Sequence, residues 1–292
     1  MISVIITSFK EPKTIGKAIK SVLNQKIKSA EIIVVAPDDE TLRVASKYQK
    51  IAKKIKVIKD PGEGKSVALN LAVKKANGEI LVLTDGDVFA GKDSINLITD
   101  ILVNNKEIGA VSGRPISTNS KGNKYGFWAY VLTEVANKRR IRALKNNRKI
   151  FCSGYLFGIR KELFPELPAG LLSEDGYISD FVYEKGFKII YQPKSLVYVK
   201  YPDNFSDWLK QKKRSAGGYN QLRIMKKSEI RSMKKESMGF MDFFKYVNGI
   251  RSFLWIIELF IARLYMWALI YRDINVRKKT MKEIWERVES TK

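Results

Sequence analysis

Asp85-Gly86-Asp87 is where the types and spacing of side chains point most directly to chemistry. The two aspartates follow Glu79-Ile80-Leu81-Val82-Leu83, an apolar run of strand length, so they fall where that strand should leave the core. Carboxylates this close repel each other unless something cationic sits between them. A divalent ion answers that need, because hard oxygen ligands suit Mg²⁺ or Mn²⁺. Taken alone, the stretch is equally compatible with a polar turn, since Asp-Gly is a common turn dipeptide. Histidine is absent, which removes His-based acid–base or triad chemistry and the usual zinc sites and leaves carboxylates, Lys, Tyr and Ser. Cys152 is the single cysteine, so no internal disulfide can form and a reducing compartment is expected.

The elements that must position these groups alternate strand and helix. Apolar runs at Ile2–Thr7, Glu31–Val35, Ile55–Ile58, Glu79–Leu83 and Gly109–Ser112 read as strands. Between them lie helical patterns: one opened by Pro12, then residues 40–52, Lys65–Ala76 and Ser94–Asn104. Repeated βα units with near-continuous apolar strands predict an α/β fold whose mostly parallel sheet is covered on both faces. Ligands in such sheets bind beyond the carboxyl ends of the strands. Thr7-Ser8, Pro37-Asp38-Asp39, Asp60 and Asp85-Gly86-Asp87 all fall at those ends, and four polar clusters on one rim favour a site over a set of turns.

Further along, residues 117–125 read as a polar loop and Phe127–Ala143 as a helix ending in Lys138-Arg139-Arg140. "IFCSGYLFGIR" (150–160) suggests a strand pair with close-packing glycines. Ser173 is placed to cap a helix carrying Glu174 and Asp175 in its first turn and ending at Gly186. "FKIIYQP" and "SLVYVKY" read as two strands, and the chain from about Phe205 as helical and basic. At 292 residues, 45% hydrophobic and 29% charged, the protein is large enough for one big domain with a tail or for two domains. Its 54 Lys+Arg against 30 Asp+Glu give a charge of +24, which attracts nucleic acid, acidic lipid or phosphorylated small molecules.

Together these pieces resemble a family 2 glycosyltransferase over roughly residues 1–220. "ISVIITSFKE" is similar to the family's nucleotide-holding strand end, with Thr7, Ser8, Phe9 and Glu11 at its positions, although the family's Pro and Asn are not kept. "GEGKSVALNLAVKKANGEILVLTDGDV" looks like the central block, from a Gly-Lys step through the Asp-x-Asp. "SGYLFGIRKELF" is similar to the acceptor-side segment, and "SED" (173–175) to the Glu-Asp pair whose aspartate is the base. "QKKRSAGG" (211–218) resembles Gln-x-x-Arg-Trp, with Ser215 replacing the tryptophan, a departure that argues against processive polymer synthesis. Ala36-Pro37 stands where relatives usually have an Asp pair that reads the nucleobase, so Asp38 or Asp39 would take that task.

The resemblance implies a GT-A type, Rossmann-like fold and inverting transfer of a sugar from a UDP- or GDP-linked donor. Asp87, with Asp85 beside it, would hold Mn²⁺ or Mg²⁺ against the diphosphate. Thr7, Ser8, Glu11, Asp38, Lys65, Asp85 and Arg214 would contact the donor, Arg214 through bidentate bonds to phosphate. Asp175 would be the general base, with Glu174 and burial in a cleft raising its pKa. Two other classes are the alternatives. A sugar nucleotidylyltransferase would need a Gly-rich basic signature after the first strand, which "TSFKEPKT" lacks. A non-enzymatic nucleic-acid or membrane module fits the basic patches at 138–149, 210–214 and 226–235, but the rim carboxylates would repel nucleic acid.

Residues 221–292 read as a separate helical, basic, membrane-associating region. "SFLWIIELFIARLYMWALIY" (252–271) reaches the roughly twenty residues that cross a bilayer. Glu258 and Arg263 are costly at its centre, and basic flanks at 210–235 and 272–282 oppose a single crossing. A helix lying in the interface is favoured, with Arg251, Glu258, Tyr265 and Arg272 on one face, Trp255 and Trp267 as anchors, and flanking lysines drawn to anionic lipid. A buried core helix and a true span are the alternatives. The N-terminus enters "ISVIITS" without a basic n-region, so no signal peptide and a cytosolic membrane face are expected. A lipid-linked or glycan acceptor, as in polysaccharide or glycolipid biosynthesis, follows from that placement.

Overall fold

Alternation along the first strands assigns side chains to two faces of one sheet. The structure is a computed structural model that describes residues 1–226, 240–277 and 288–291. Strands β1 (Ile2–Thr7), β2 (Ala30–Ala36), β3 (Ile55–Lys59) and β4 (Ile80–Asp85) pair in parallel in the order β3-β2-β1-β4. Val4, Ile6, Ile32 and Val34 point to one face, where α1 (Ile15–Leu23), α2 (Asp39–Ile51) and α4 (Ser94–Asn104) supply Ile15, Ile19, Ala45 and Ile98. Ile5, Ile33, Leu81 and Leu83 point to the other, against Leu69 and Ala72 of α3 (Lys65–Lys75) and Ile178 of α6 (Glu174–Glu184). Burial on both faces explains why these strands read as unbroken apolar runs rather than alternating ones.

The second half of the sheet is mixed. A three-residue strand β5 (Val88–Ala90) follows the Asp-Gly-Asp turn, and β6 (Ile108–Ser117), β7 (Leu156–Arg160) and β8 (Lys188–Val199) complete the order β3-β2-β1-β4-β7-β6-β8-β5. β7 runs antiparallel to both β4 and β6, β5 is antiparallel to β8, and β6 and β8 are parallel. The result is the expected mostly parallel, Rossmann-like sheet with helices on both faces. Two local expectations change. Residues 150–160 contain one strand, β7, not a pair, and the segments around Pro193 form the single strand β8. The register slips between Ser112/Tyr191 and Arg114/Leu196, so the irregularity absorbs the proline that would otherwise interrupt the ladder.

A third layer packs at the end of the sheet. Helices α5 (Lys124–Lys145), α7 (Phe205–Lys226) and α8 (Ile250–Tyr271), with the 3₁₀ segment Phe240–Tyr246, meet around Trp128, Val131, Trp208, Phe243, Ile256 and Leu259. α7 runs through residue 220, across the expected domain boundary. Of the basic flanks, residues 227–235 and 278–282 lie outside the described residues.

Helix α8 is apolar on two sides. Ser252, Ile256, Leu259, Ala262, Met266 and Ile270 are buried at helical spacing against the protein. Trp255 and Trp267 turn to the protein as well, a correction to their expected role as interfacial anchors. Trp255 packs on Phe127 with ring centroids 5.5 Å apart and accepts Trp128 Nε1–H at its carbonyl, while Trp267 packs on the Ala216–Met266–Ile270 cluster. The opposite face presents Ile250, Leu254, Ile261 and Leu264, with Ile261 59% exposed. Glu258 is held by Lys124 at 2.9 Å.

Candidate active site

The register of β1 against β4 places Thr7 directly beside Asp85, and the Thr7 hydroxyl donates to Asp85 Oδ1 at 2.9 Å. The chain then turns at Gly86, whose amide donates to the Thr7 carbonyl at 2.8 Å. A side chain at Gly86 would collide with Ser8 Oγ and stand 2.6 Å from Glu11 Oε2, two atoms that are themselves hydrogen-bonded at 2.7 Å. The glycine between the two aspartates therefore makes room for the buried Ser8–Glu11 pair.

From the end of β3, Asp60, Gly62 and Gly64 turn the chain into α3. Gly64 adopts φ +107°, a backbone region that side chains disfavour although space beside it is open. The turn sets Lys65 at the head of α3, where Nζ meets Asp85 Oδ1 at 2.6 Å. Burial opposes the Lys65 charge, but Asp85, Glu174 and Asp175 outweigh it and raise its pKa above the usual lysine value. Asp60 accepts the Gly62 amide at 2.8 Å, whereas its Oδ2 is buried with no partner among the described residues. Burial pushes the Asp60 pKa up, and the nearby charge of Asp38 adds to the shift.

Asp38 serves a different purpose from the one expected. Its carboxylate accepts the Thr41 amide at 2.9 Å and the Lys10 amide at 2.7 Å, capping α2, and it does not line the cavity described below. Burial pushes its pKa up, but the bonds from Thr41 and Lys10 prevail and lower it.

Asp175 is held from three sides. Ser173 Oγ donates to Oδ1 at 2.8 Å, the Gly176 amide to Oδ1 at 2.9 Å and the Gly154 amide to Oδ2 at 3.0 Å. Ser173 thus orients Asp175 instead of capping α6, as its lack of a side-chain cap bond shows. An ionised carboxylate offers about four lone-pair sites, so capacity for a further donor remains. The Glu174 carboxyl beside it has a raised pKa, lifted by burial, lowered in part by Lys65, and raised again by Asp175 and Asp85. α7 clamps the segment before Asp175. Gln221 accepts the Leu172 amide at 3.0 Å, and a side chain at Gly218 would stand 2.9 Å from Ser173 Cβ.

One cavity of about 1300 Å³ joins these groups. Thr7, Ser8, Glu11, Lys65, Asp85, Asp87, Asp175 and Arg214 all line it. So do residues that sequence reasoning passed over as site members: Tyr155, Tyr201, Arg139, Arg140, Lys212 and Arg263. Tyr155 and Tyr201 pack edge to face at 6.0 Å. The Tyr155 phenol is pushed up to about 12 by burial and the Asp87 charge, against a lowering by Arg214, so all three groups act at one place. Only the position of Tyr155 within "SGYLFG" pointed toward it; the arginines of α5 and α8 arrive through tertiary packing.

Among the described residues no three carboxylate or thiol side chains gather into a complete metal-binding set. Asp85 and Asp87 nonetheless fit a partial set of hard oxygen donors, of the kind Mg²⁺ completes with substrate phosphates and water.

The sequence pattern of "Glycosyl transferase family 2" matches residues 3–167. The chain is 25% identical over 244 residues to the probable glycosyltransferase YdaM of Bacillus subtilis (strain 168), covering 77% of this chain and 56% of that protein. It is 22% identical over 231 residues to the poly-β-1,6-N-acetyl-D-glucosamine synthase of Staphylococcus aureus (strain COL), covering 76% and 55%. It therefore spans a little over half the length of these relatives. Among solved structures, it is similar to the mannosyltransferase PcManGT from Pyrobaculum calidifontis in complex with GDP-Man and Mn²⁺, with TM-score 0.59 and 15% identity over 97% of this chain and 82% of that one. Residues 1–349 of S. aureus TarS with UDP-GlcNAc give TM-score 0.52 at 18% identity, covering 85% and 71%. These likenesses agree with a GT-A type fold, and the pattern match across more than half of the chain shows that it belongs to glycosyl transferase family 2.

Proposed function

We propose that the protein is an inverting, metal-dependent glycosyltransferase that moves a sugar from a UDP- or GDP-linked donor to an acceptor hydroxyl or phosphate at the cytosolic face of a membrane. The observation that carries this reading is the convergence of Asp85, Asp87, Arg214 and Asp175 on one cavity large enough for donor and acceptor together. Nucleotide-sugars in the similar structures, one of them with Mn²⁺, lend it support.

Residues 1–220 supply the catalytic part. Thr7, Ser8 and Glu11 form the nucleoside side of the pocket together with Asp60, which lines the cavity where Asp38 does not. Asp87 is the principal ligand of Mn²⁺ or Mg²⁺, with Asp85 as a secondary one because Lys65 and Thr7 already hold it. When bound, the ion supplies electrostatic stabilisation of the departing diphosphate. Lys65 and Arg214 flank that diphosphate with positive charge. Asp175, oriented by Ser173 and the Gly154 amide, accepts the acceptor proton as the new bond to the anomeric carbon forms and the diphosphate leaves with its electron pair. A single displacement inverts the sugar centre.

The described part of 221–292 supports membrane attachment. α8 is the one helix among the described residues long and apolar enough to cross a membrane, and its outer face is apolar along its length. Inserting each large apolar side chain is worth about 1.5–3 kcal/mol, so a few suffice to hold the protein at an interface. A lipid-linked or glycan acceptor suits that placement. The test is a panel of UDP- and GDP-sugars with Mn²⁺, read as released nucleotide. Turnover of at least one, dependent on Asp175, is expected; no release from any would contradict the assignment.

A further inference from the structure

The cavity is divided by charge. Its carboxylates all lie between Glu11 and Asp175, on the strand ends and the head of α6. The helices of the third layer contribute no acid to its lining among the described residues, but bring Arg139 and Arg140 from α5, Lys212 and Arg214 from α7 and Arg263 from α8. The Tyr155–Tyr201 pair stands at the border. Asp87 and Asp85 act on Tyr155, while Lys212 Nζ lies 5.8 Å from the Tyr201 ring; burial and Tyr155 push the Tyr201 phenol well up, with Arg140 pulling the other way.

Phe243 gathers two of these cations. Its ring is fully buried, and the guanidiniums of Arg139 and Arg263 lie 5.9 and 5.6 Å from its centroid. The neighbouring carboxylate, Asp242, is shared among Lys245 at 2.9 Å, Arg142 at 3.8 Å and Arg139 at 3.9 Å. Guanidiniums held in place beside an open cavity suit planar, bidentate recognition of phosphate. Arg214 is assigned to the donor diphosphate; Arg139, Arg140, Lys212 and Arg263 are the other cations that the third layer brings to the lining.

We propose that the acceptor carries a phosphate group and that Arg139, Arg140, Lys212 and Arg263 seat it, so that the acceptor enters from the α8 side with its reacting oxygen toward Asp175. The inference rests on the transferase reading and specifies its second substrate by charge. α8 links the two: Arg263 points into the cavity from the helix whose opposite face is apolar and exposed. A phosphate borne on a lipid would reach the cationic end from the membrane, and a soluble phosphate from the cytosol.

Binding is measured on the full chain in detergent, without turnover, as the shift in melting temperature. The probes are a short-chain polyprenyl phosphate, the matching uncharged polyprenol, and a soluble sugar 1-phosphate. A phosphate bound by several charge-assisted bonds should bind at least about tenfold tighter than the alcohol. Arg263→Gln and Lys212→Gln should each weaken it severalfold, with partial recovery in Arg263→Lys, while the shift from UDP or GDP with Mn²⁺ stays as in the wild type. Preference for the lipid phosphate over the sugar phosphate assigns a lipid source; equal binding assigns the phosphate group alone. Equal binding of phosphate and alcohol, or variants that keep the preference intact, would overturn the proposal. Because nucleotide binding is read separately, its absence would count against the transferase reading and not against the phosphate site.

Discussion

Lys65 Nζ and Asp85 Oδ1 stand 2.6 Å apart, which ties the head of α3 to the end of β4 across the mouth of the cavity. Thr7 donates to the same oxygen. The protein itself thus neutralises much of the first aspartate of Asp-Gly-Asp, and the two acids take different roles. Asp85→Asn should weaken nucleotide binding about tenfold, the cost of roughly one charge-assisted bond, yet keep a measurable Mn²⁺ effect. Calorimetric titration of UDP and GDP with and without Mn²⁺ checks this division.

Asp175 makes three hydrogen bonds that fix its direction. Asp175→Asn preserves size and removes the basic oxygen, so kcat should fall about 10²- to 10⁴-fold, the range of general-base contributions. Donor binding, followed by the nucleotide-induced melting shift, should stay close to wild type. Ser173→Ala should give a smaller loss in kcat by releasing the carboxylate from one of its partners.

Glu31 separates stability from catalysis. It sits at the opposite end of the strands, accepting Ser3 Oγ at 2.6 Å and Lys56 Nζ at 2.7 Å and also bonding the Asn77 amide. Burial pushes its pKa up, but Lys56, Ser3 and Asn77 prevail and lower it. With the folded pKa below the unfolded one, its stabilisation is present above the unfolded carboxylate value of about 4.3 and is lost as pH falls through the folded value. Glu31→Gln should therefore cost about 1–3 kcal/mol at neutral pH, lessen the loss of stability on acidification, and leave nucleotide affinity unchanged. Urea unfolding at several pH values reads the first two effects.

The outer face of α8 is the membrane element of the account. Ile261→Glu with Leu254→Glu places two charges on that face, opposite the residues buried against the protein. Co-flotation with anionic vesicles should be lost while the melting temperature stays within a few degrees of wild type. Flotation unchanged by both charges would point to attachment through another surface.

The sheet and the rim were legible because β1 to β4 are buried on both faces, which forces long apolar runs with polar residues at their ends. What sequence could not reveal depended on meetings in space. β5 has only three residues and exists through pairing with β8. Ser173 has the composition of a helix cap, and only the fold turns its hydroxyl to Asp175. Asp38 looked like a rim acid, yet the amides of Lys10 and Thr41 claim it. Arg139 and Arg263 are 124 positions apart in a chain already rich in cations, and only the packing of α5 and α8 around Phe243 sets them beside one cavity.

The role of Asp87 is the central claim, and thermal unfolding with UDP or GDP tests it most directly. The wild type should gain stability with at least one nucleotide and gain more when Mn²⁺ is added, whereas Asp87→Ala should keep part of the nucleotide gain and lose the metal increment entirely. An Mn²⁺ increment of full size in Asp87→Ala would contradict the account.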